Sequence, residues 1–384
     1  MKKRFLMTPG PTQIPPEVLL AAAQPIIHHR TAEYSELFAR VIEGLKLVFQ
    51  TENDVLFFAS SGTGAMESAV VNLGSPGDRV LVCSSGKFGE RWHQLAETYG
   101  LEAELLSYEY GQPVKPEDIA DALDDGAGYK AVYVTHSETS TGVVNDIEAI
   151  GAIVKDHEAV LVADAVSGLG SAELKTDEWH VDVVVAGSQK ALMLPPGLGF
   201  ASVSEKAWAL AEQSTIPKYY LDWKKARAGI RQEKPTTPFT PAVSLTVALD
   251  AALKMMREEG LDSLFARHRA MGRASREAIK AMGLELFSPD DERCSSVTSV
   301  LMPAGVDDGQ LRTLMRDKYG VQVAGGQGSM KGNIFRIGHC GYYNYSDIIV
   351  TITALELALR ELGHPLEPGA GVARAEEVFA EEGS

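Results

Sequence analysis

The chain has 384 residues, 45% of them hydrophobic and 23% charged, which is the composition of a globular protein too long for one ordinary core, so two domains are expected. A formal net charge of −16 argues against a nucleic-acid partner, and three scattered cysteines (Cys83, Cys294, Cys340) make neither a disulfide framework nor a zinc site and fit a reducing cytoplasm. Met1-Lys2-Lys3-Arg4 is followed by Phe5-Leu6-Met7 and then at once by Thr8-Pro9-Gly10-Pro11, which leaves no signal-peptide core, and no run approaches the ~18 apolar residues of a membrane span.

In chain order, residues 8–16 carry four prolines and read as an extended arm or as a disordered N-terminus. His28-His29-Arg30 has no third ligand at metal spacing and reads as a loop. Residues 31–50 place Tyr34, Leu37, Phe38, Val41, Ile42, Leu45, Val48 and Phe49 on one helical face, with Thr31 as N-cap. Apolar runs at 55–58, 80–83, 131–135, 160–163, 181–185 and 200–203 alternate with amphipathic stretches such as 91–99 and 147–155, the pattern of a largely parallel sheet covered by helices on both faces. Residues 111–125 read as a connection with one short helix, and 218–238 as irregular, aromatic and basic. Helical spacing at 243–259 and 261–282, the second broken near Gly272, leads to a smaller α+β region with strands at 296–302 and 333–337 and helices at 309–318 and 345–362. The expected division is an arm over 1–20, a large domain over 21–255, a small domain over 256–365 and a tail over 366–384.

Six stretches can carry chemistry. The run at 181–185 delivers Lys190 into a Gly/Pro-rich turn, and the run at 160–163 ends in Asp164. Ligands of α/β sheets sit at such strand ends. A partly desolvated lysine there can attack a carbonyl, and a lysine with an aspartate for a pyridinium nitrogen is the constellation of pyridoxal phosphate chemistry. A solvated surface lysine is the alternative. Ser60-Ser61-Gly62-Thr63-Gly64-Ala65-Met66-Glu67 opens a helix at 65–73 and reads as a phosphate cradle or a tight turn; it lacks the spacing of a dinucleotide fingerprint or a P-loop. Thr135–Gly142 clusters hydroxyls at a strand end, and Phe88 either stacks on a flat ligand or joins the core. Arg336 lies inside an apolar strand and needs an anion, from a substrate or from a structural salt bridge.

Taken in order, Thr8-Pro9-Gly10-Pro11, Ser61-Gly62-Thr63-Gly64, Thr135-His136-Ser137-Glu138-Thr139-Ser140-Thr141-Gly142, Asp164-Ala165-Val166-Ser167, Gly187-Ser188-Gln189-Lys190 and Arg336-Ile337-Gly338 resemble the class V aminotransferases of fold type I, in particular the alanine/serine–glyoxylate (or pyruvate) group. The resemblance implies a large domain with a mostly parallel seven-stranded sheet, a smaller C-terminal α+β domain, pyridoxal 5'-phosphate as cofactor and a cytoplasmic homodimer with shared sites. It implies that Lys190 holds the cofactor as a Schiff base and then acts as general base, and that Asp164 pairs with the ring nitrogen. Phe88 would stack on the ring and Thr139 would reach its oxygen. Thr63, Gly64, Ala65 and Gln189 would hold the phosphate, with Thr237 and Thr240 reaching it from the neighbouring subunit. Arg336 would bind the substrate carboxylate beside Gly10. Some relatives carry histidine at the Ala65 position, and the best known carry tyrosine at that of Thr237. No second arginine sits in a recognised pocket motif, so small donors, alanine or serine, are expected over aspartate or glutamate. The rivals are ureidoglycine or phosphonate aminotransferases, a desulfurase or β-lyase, and a catalytically silent relative. Desulfurases place histidine before the lysine and a cysteine on a loop before the C-terminal arginine; here Gln189 precedes Lys190, and the loop at 324–329 has no cysteine.

Overall fold

The computed structural model describes residues 3–126 and 128–383. Its centre is a seven-stranded sheet in the order Asp54–Phe58, Gly199–Val203, Val183–Gly187, Val160–Asp164, Ala131–Thr135, Arg79–Ser84, Glu102–Ser107. Gly199–Val203 runs antiparallel to both neighbours, and the other pairings are parallel. Side chains alternate across the sheet. Leu81, Val132 and Leu161 enter one core with the helices Ala32–Phe49 and Val243–Glu259, whereas Val80, Tyr133 and Val162 enter another with Gly62–Leu73 and Trp208. The helix Ala32–Phe49 is capped by Thr31, whose side chain accepts the Tyr34 N–H.

Glu102–Ser107 has no counterpart among the apolar runs. It is an edge strand, largely exposed, with Leu105 at 40% exposure, so a hydrophobic run is not what forms it. Two other expectations need correction. The stretch 218–238 is not wholly irregular: Asp222 caps a helix, Trp223–Ile230, whose Trp223 is buried. The helix Leu261–Ala281 runs unbroken through Gly272, because that glycine serves close packing: a Cβ there would stand 2.9 Å from the Cys294 carbonyl oxygen.

A third core gathers Met7 with residues of the C-terminal region around the sheet Val297–Leu301, Ile334–Gly338, Ala324–Gly325. The N-terminal arm is ordered. Phe5–Leu6 pairs in parallel with Val321–Gln322, and the Gly338 N–H donates to the Met7 carbonyl. The tail is a twelve-residue helix, Ala370–Glu381, and Ala375, Val378 and Phe379 are buried in this third core. Glu356 accepts the N–H groups of Gly369 and Gly371 and so fixes where that helix starts. Phe379→Ala is therefore expected to destabilise the fold by about 3–5 kcal/mol, the range for a buried phenylalanine; a chemical denaturation curve unchanged from wild type would mean that the tail adds nothing to the core.

Candidate active site

Three of the strands end at one place. Asp164 closes Val160–Asp164, Gly187 closes Val183–Gly187, and the turn after Asp54–Phe58 leads into Gly62–Leu73. The carboxyl ends of these strands line a cavity of about 260 Å³, bounded by Gly10, Thr63, Phe88, Asp164, Gln189 and Lys190 among others.

Lys190 is 8% exposed and bonded through Nζ to the Pro9 carbonyl. The arm lies directly on it. Thr12 donates its hydroxyl to the Lys190 carbonyl at 3.0 Å and its N–H to that of Gln189 at 3.2 Å, and a Cβ on Gly10 would stand 2.4 Å from Lys190 Cε. The Gly10 position thus admits no side chain without moving the lysine. Burial, helped by the Arg336 charge, holds the Lys190 ammonium below the usual lysine range. On the C-terminal side, Met193 takes a left-handed φ of 60° and returns its N–H to the Lys190 carbonyl, which closes the turn.

Asp164 is buried and accepts the Val166 N–H at 2.8 Å; burial pushes its carboxyl up to about 7, with Glu138 adding to the rise. Phe88 is the second residue of the helix Lys87–Thr98, whose N-terminus has no cap from its own chain neighbours. Glu138 supplies that cap across space. One of its oxygens accepts the N–H groups of Phe88 and Gly89 at 2.9 and 3.1 Å, and the other accepts the Ser140 N–H and hydroxyl. Gly86 lets the two approach, since a Cβ there would stand 2.5 Å from Glu138 Cγ.

Gly64 and Ala65 open Gly62–Leu73 behind Thr63. The Gly64 N–H is bonded to the Ser61 hydroxyl at 3.4 Å and that of Ala65 to the Ser61 carbonyl at 3.2 Å. The Ala65 N–H thus has a partner within the turn, and the N–H groups ahead of it, at Gly62 and Thr63, have none within the helix. Thr139 is buried, its hydroxyl 3.2 Å from that of Ser167, which lines the cavity. Arg336 lies just beyond. Its guanidinium donates to the Gly325 carbonyl at 2.8 and 2.9 Å and to the Thr139 carbonyl at 2.6 Å. Among the described residues it has no carboxylate partner, so the structural salt bridge is not what holds it. Burial draws it down to about 10.

Thr237 and Thr240 are not brought to this cavity. The Thr237 hydroxyl donates to the Phe239 carbonyl, Arg30 binds the Thr237 carbonyl, and both threonines border a separate depression with Tyr220 and Phe239. The basic stretch at 224–227 is also elsewhere: Arg227 pairs with Asp54 at 2.7 Å and Glu205 at 2.6 Å. Two site residues escaped sequence reasoning. Glu138 stood in a quoted motif with no role. Arg91 lines the cavity three residues after Phe88 on the same helix face, a spacing that pointed to it.

A buried lysine of lowered basicity, a buried carboxyl, a half-buried aromatic ring and a helix N-terminus, all at strand ends of an α/β sheet, define the site of a fold type I enzyme of the aminotransferase kind. The chain matches the class V aminotransferase family over residues 4–345 and belongs to it. It is 47% identical to a protein of Synechococcus sp. (strain PCC 6716) named soluble hydrogenase, small subunit, with 98% of this chain and 99% of that protein covered. It is 37% identical to the serine–glyoxylate aminotransferase of Methylorubrum extorquens, over 99% of this chain and 96% of that one. Among solved structures, the ureidoglycine–glyoxylate aminotransferase of Bacillus subtilis superposes with a TM-score of 0.94 at 30% identity, covering 99% of both chains.

Asp164 sets a pH signature. Folding raises its proton affinity from the ordinary 3.8 to about 7, so its contribution to stability is fully present below pH 3.8 and is lost as pH rises toward 7. The buried histidines His136, His268 and His339 have the opposite sign, since burial lowers each of them from 6.5. The difference between wild type and Asp164→Asn isolates the aspartate. The cofactor-free variant is expected to gain melting temperature relative to wild type as pH is raised from 5 to 8 in the range set by that shift; a constant difference across that range would contradict the assignment.

Proposed function

We propose that this protein is a pyridoxal phosphate-dependent aminotransferase that takes an amino group from a small amino acid, alanine or serine, and passes it to glyoxylate or pyruvate. The observation that carries the reading is the cation at Arg336, buried, held only by carbonyl oxygens and without a carboxylate of its own. A guanidinium fixed in that way is prepared for the carboxylate of a substrate.

The cofactor fits the residues present. The Gln189 side chain makes no hydrogen bond among the described residues, and its Oε1 is buried without a partner. Such an orphan group is one a bound ligand would satisfy. Thr63, the N-terminus of Gly62–Leu73 and Gln189 would hold the phosphate, Phe88 the ring face, Asp164 a proton at the ring nitrogen, and Thr139 the ring oxygen. When bound, the group supplies a ring that accepts the electron pair left at the substrate Cα. Lys190 Nζ, its basicity lowered by burial, would take the proton from that Cα and return it on the other side of the transfer. Arg336 orients the substrate by its carboxylate, and the arm at Pro9 and Gly10 covers the lysine from water. The three buried, free cysteines are in keeping with a reducing cytoplasm.

Steady-state kinetics with a panel of donors and with glyoxylate and pyruvate as acceptors test the reading. Alanine and serine are expected to exceed aspartate and glutamate in kcat/KM, and Arg336→Ala to lose on the order of a hundredfold or more with the preferred donor. Acidic donors ahead of small ones, or an Arg336→Ala enzyme of wild-type efficiency, would refute it.

The same reading makes the protein a homodimer with shared sites. Thr237 and Thr240 stand outside the cavity of their own chain, beside Tyr220, which is 42% exposed; Tyr219 is 73% exposed, and elsewhere on the chain Leu20 and Ile26 are 65% and 72% exposed. Exposed apolar side chains of this number favour burial against a second copy. Light scattering is expected to give twice the 41.4 kDa of the chain; an active species at the mass of one chain would dismiss the shared site.

A further inference from the structure

We propose that Arg91 is the cation that neutralises the phosphate of the bound cofactor, an assignment that rests on the cofactor reading above. Arg91 is placed for it. It lines the cavity, its Nη1 donates to the Thr63 hydroxyl at 3.2 Å, and its guanidinium stands 4.9 Å from the centre of the Phe88 ring. It thus spans from the ring that would carry the cofactor's face to a residue in the first turn of the phosphate-side helix.

The charge balance points the same way. Arg91 makes no other hydrogen bond and has no carboxylate within ion-pair distance among the described residues. Its helix neighbour Glu90 is engaged instead by Lys87 and Tyr110. The remaining groups on the phosphate side are neutral: the Thr63 hydroxyl, backbone N–H groups and the Gln189 amide. A phosphate monoester carries close to two negative charges at neutral pH, and a helix N-terminus offers about half a positive charge. In a partly desolvated cleft the rest calls for a full cation, and an arginine fork matches phosphate oxygens in shape as well as in charge. Of the two cations that line the cavity, Lys190 is turned to the arm and taken by the Pro9 carbonyl. Arg91 is the other. Two different roles compete with this one: a packing role, stacking on Phe88, and recognition of a second carboxylate on an acidic donor.

Pyridoxal separates them, because it has the ring and the aldehyde of pyridoxal 5'-phosphate but no phosphate. The cofactor-free wild type, Arg91→Ala and Arg91→Lys are each titrated with both compounds, following the visible absorbance of the lysine-bound form. Arg91→Ala is expected to raise the Kd for pyridoxal 5'-phosphate by on the order of 10–100-fold, the loss of one charge-assisted contact, while the Kd for pyridoxal stays at the wild-type value. Arg91→Lys should recover part of the loss, keeping the charge without the fork. Retained pyridoxal binding shows that the variant site is intact. Equal weakening of both compounds would overturn the proposal in favour of packing on Phe88. Unchanged binding of both would overturn it too and leave Arg91 to the substrate. If the wild type takes up neither compound, the cofactor reading itself fails and this proposal goes with it; if the wild type binds and the variants match it, this proposal fails alone.

Discussion

The burial of one ammonium group is the constraint on which the rest of the site depends. A lysine in water at neutral pH is protonated and cannot attack a carbonyl or take a proton. Burial lowers the Lys190 ammonium from the usual lysine range, and the cover comes from a segment 181 residues away in sequence, where Pro9 presents its carbonyl and Gly10 its bare Cα. The arm can do this only if its far end is anchored. The anchor is the pairing of Phe5–Leu6 with Val321–Gln322 and the bond from Gly338 to Met7. The C-terminal region thus sets the basicity of a lysine on the central sheet through a strand that belongs to the N-terminus. The same region carries Arg336 on the strand Ile334–Gly338, so the group that covers the lysine and the group offered to the substrate are fixed by one small sheet.

A second buried charge, Glu138, organises the opposite wall. Burial raises its carboxyl, and four hydrogen bonds oppose that rise. Each of those bonds holds something used at the site: the helix start that carries Phe88 and Arg91, and the Ser140 turn that follows Thr139. The carboxylate also acts at longer range, since its charge raises Asp164 further. The two carboxyls are therefore not interchangeable. Glu138 is saturated by backbone and hydroxyl donors, whereas the Asp164 carboxyl accepts one hydrogen bond among the described residues, from the Val166 N–H, and lines the cavity. A group short of partners and facing open space is the one left for a ligand.

Much of this was legible in the sequence, and for a common reason. Strands buried on both faces have to be continuous apolar runs, and six of the seven are. Lys190, Asp164 and the Ser61–Gly64 turn were legible because chemistry at strand ends interrupts such runs with polar and small residues. The seventh strand, Glu102–Ser107, was hidden because an edge carries charge. The helix at Trp223–Ile230 was hidden because its short apolar face, Trp223, Ala226 and Gly229, sits among lysines and arginines that satisfy acids elsewhere. The break expected at Gly272 follows helix propensity, which tertiary packing overrides when a carbonyl comes as close as that of Cys294. Glu138 could not be read from local pattern, and for Arg91 the helical spacing from Phe88 was the one local sign. What marks them is the presence or absence of partners remote in sequence, and only the fold supplies that.

The arrangement of charges also gives the reaction an order. Arg336 and Lys190 are like charges in a desolvated region, and the Arg336 charge is among the causes that hold the lysine down. On the proposed reading, a substrate carboxylate on Arg336 would cancel part of that charge, and the proton affinity of Lys190 would then rise. The base would be strengthened while a substrate is in place to give up its Cα proton and weakened again when the keto acid leaves. A donor without a carboxylate would bring no such change, so on that reading Arg336 would act on its substrates twice, once by binding them and once through the lysine.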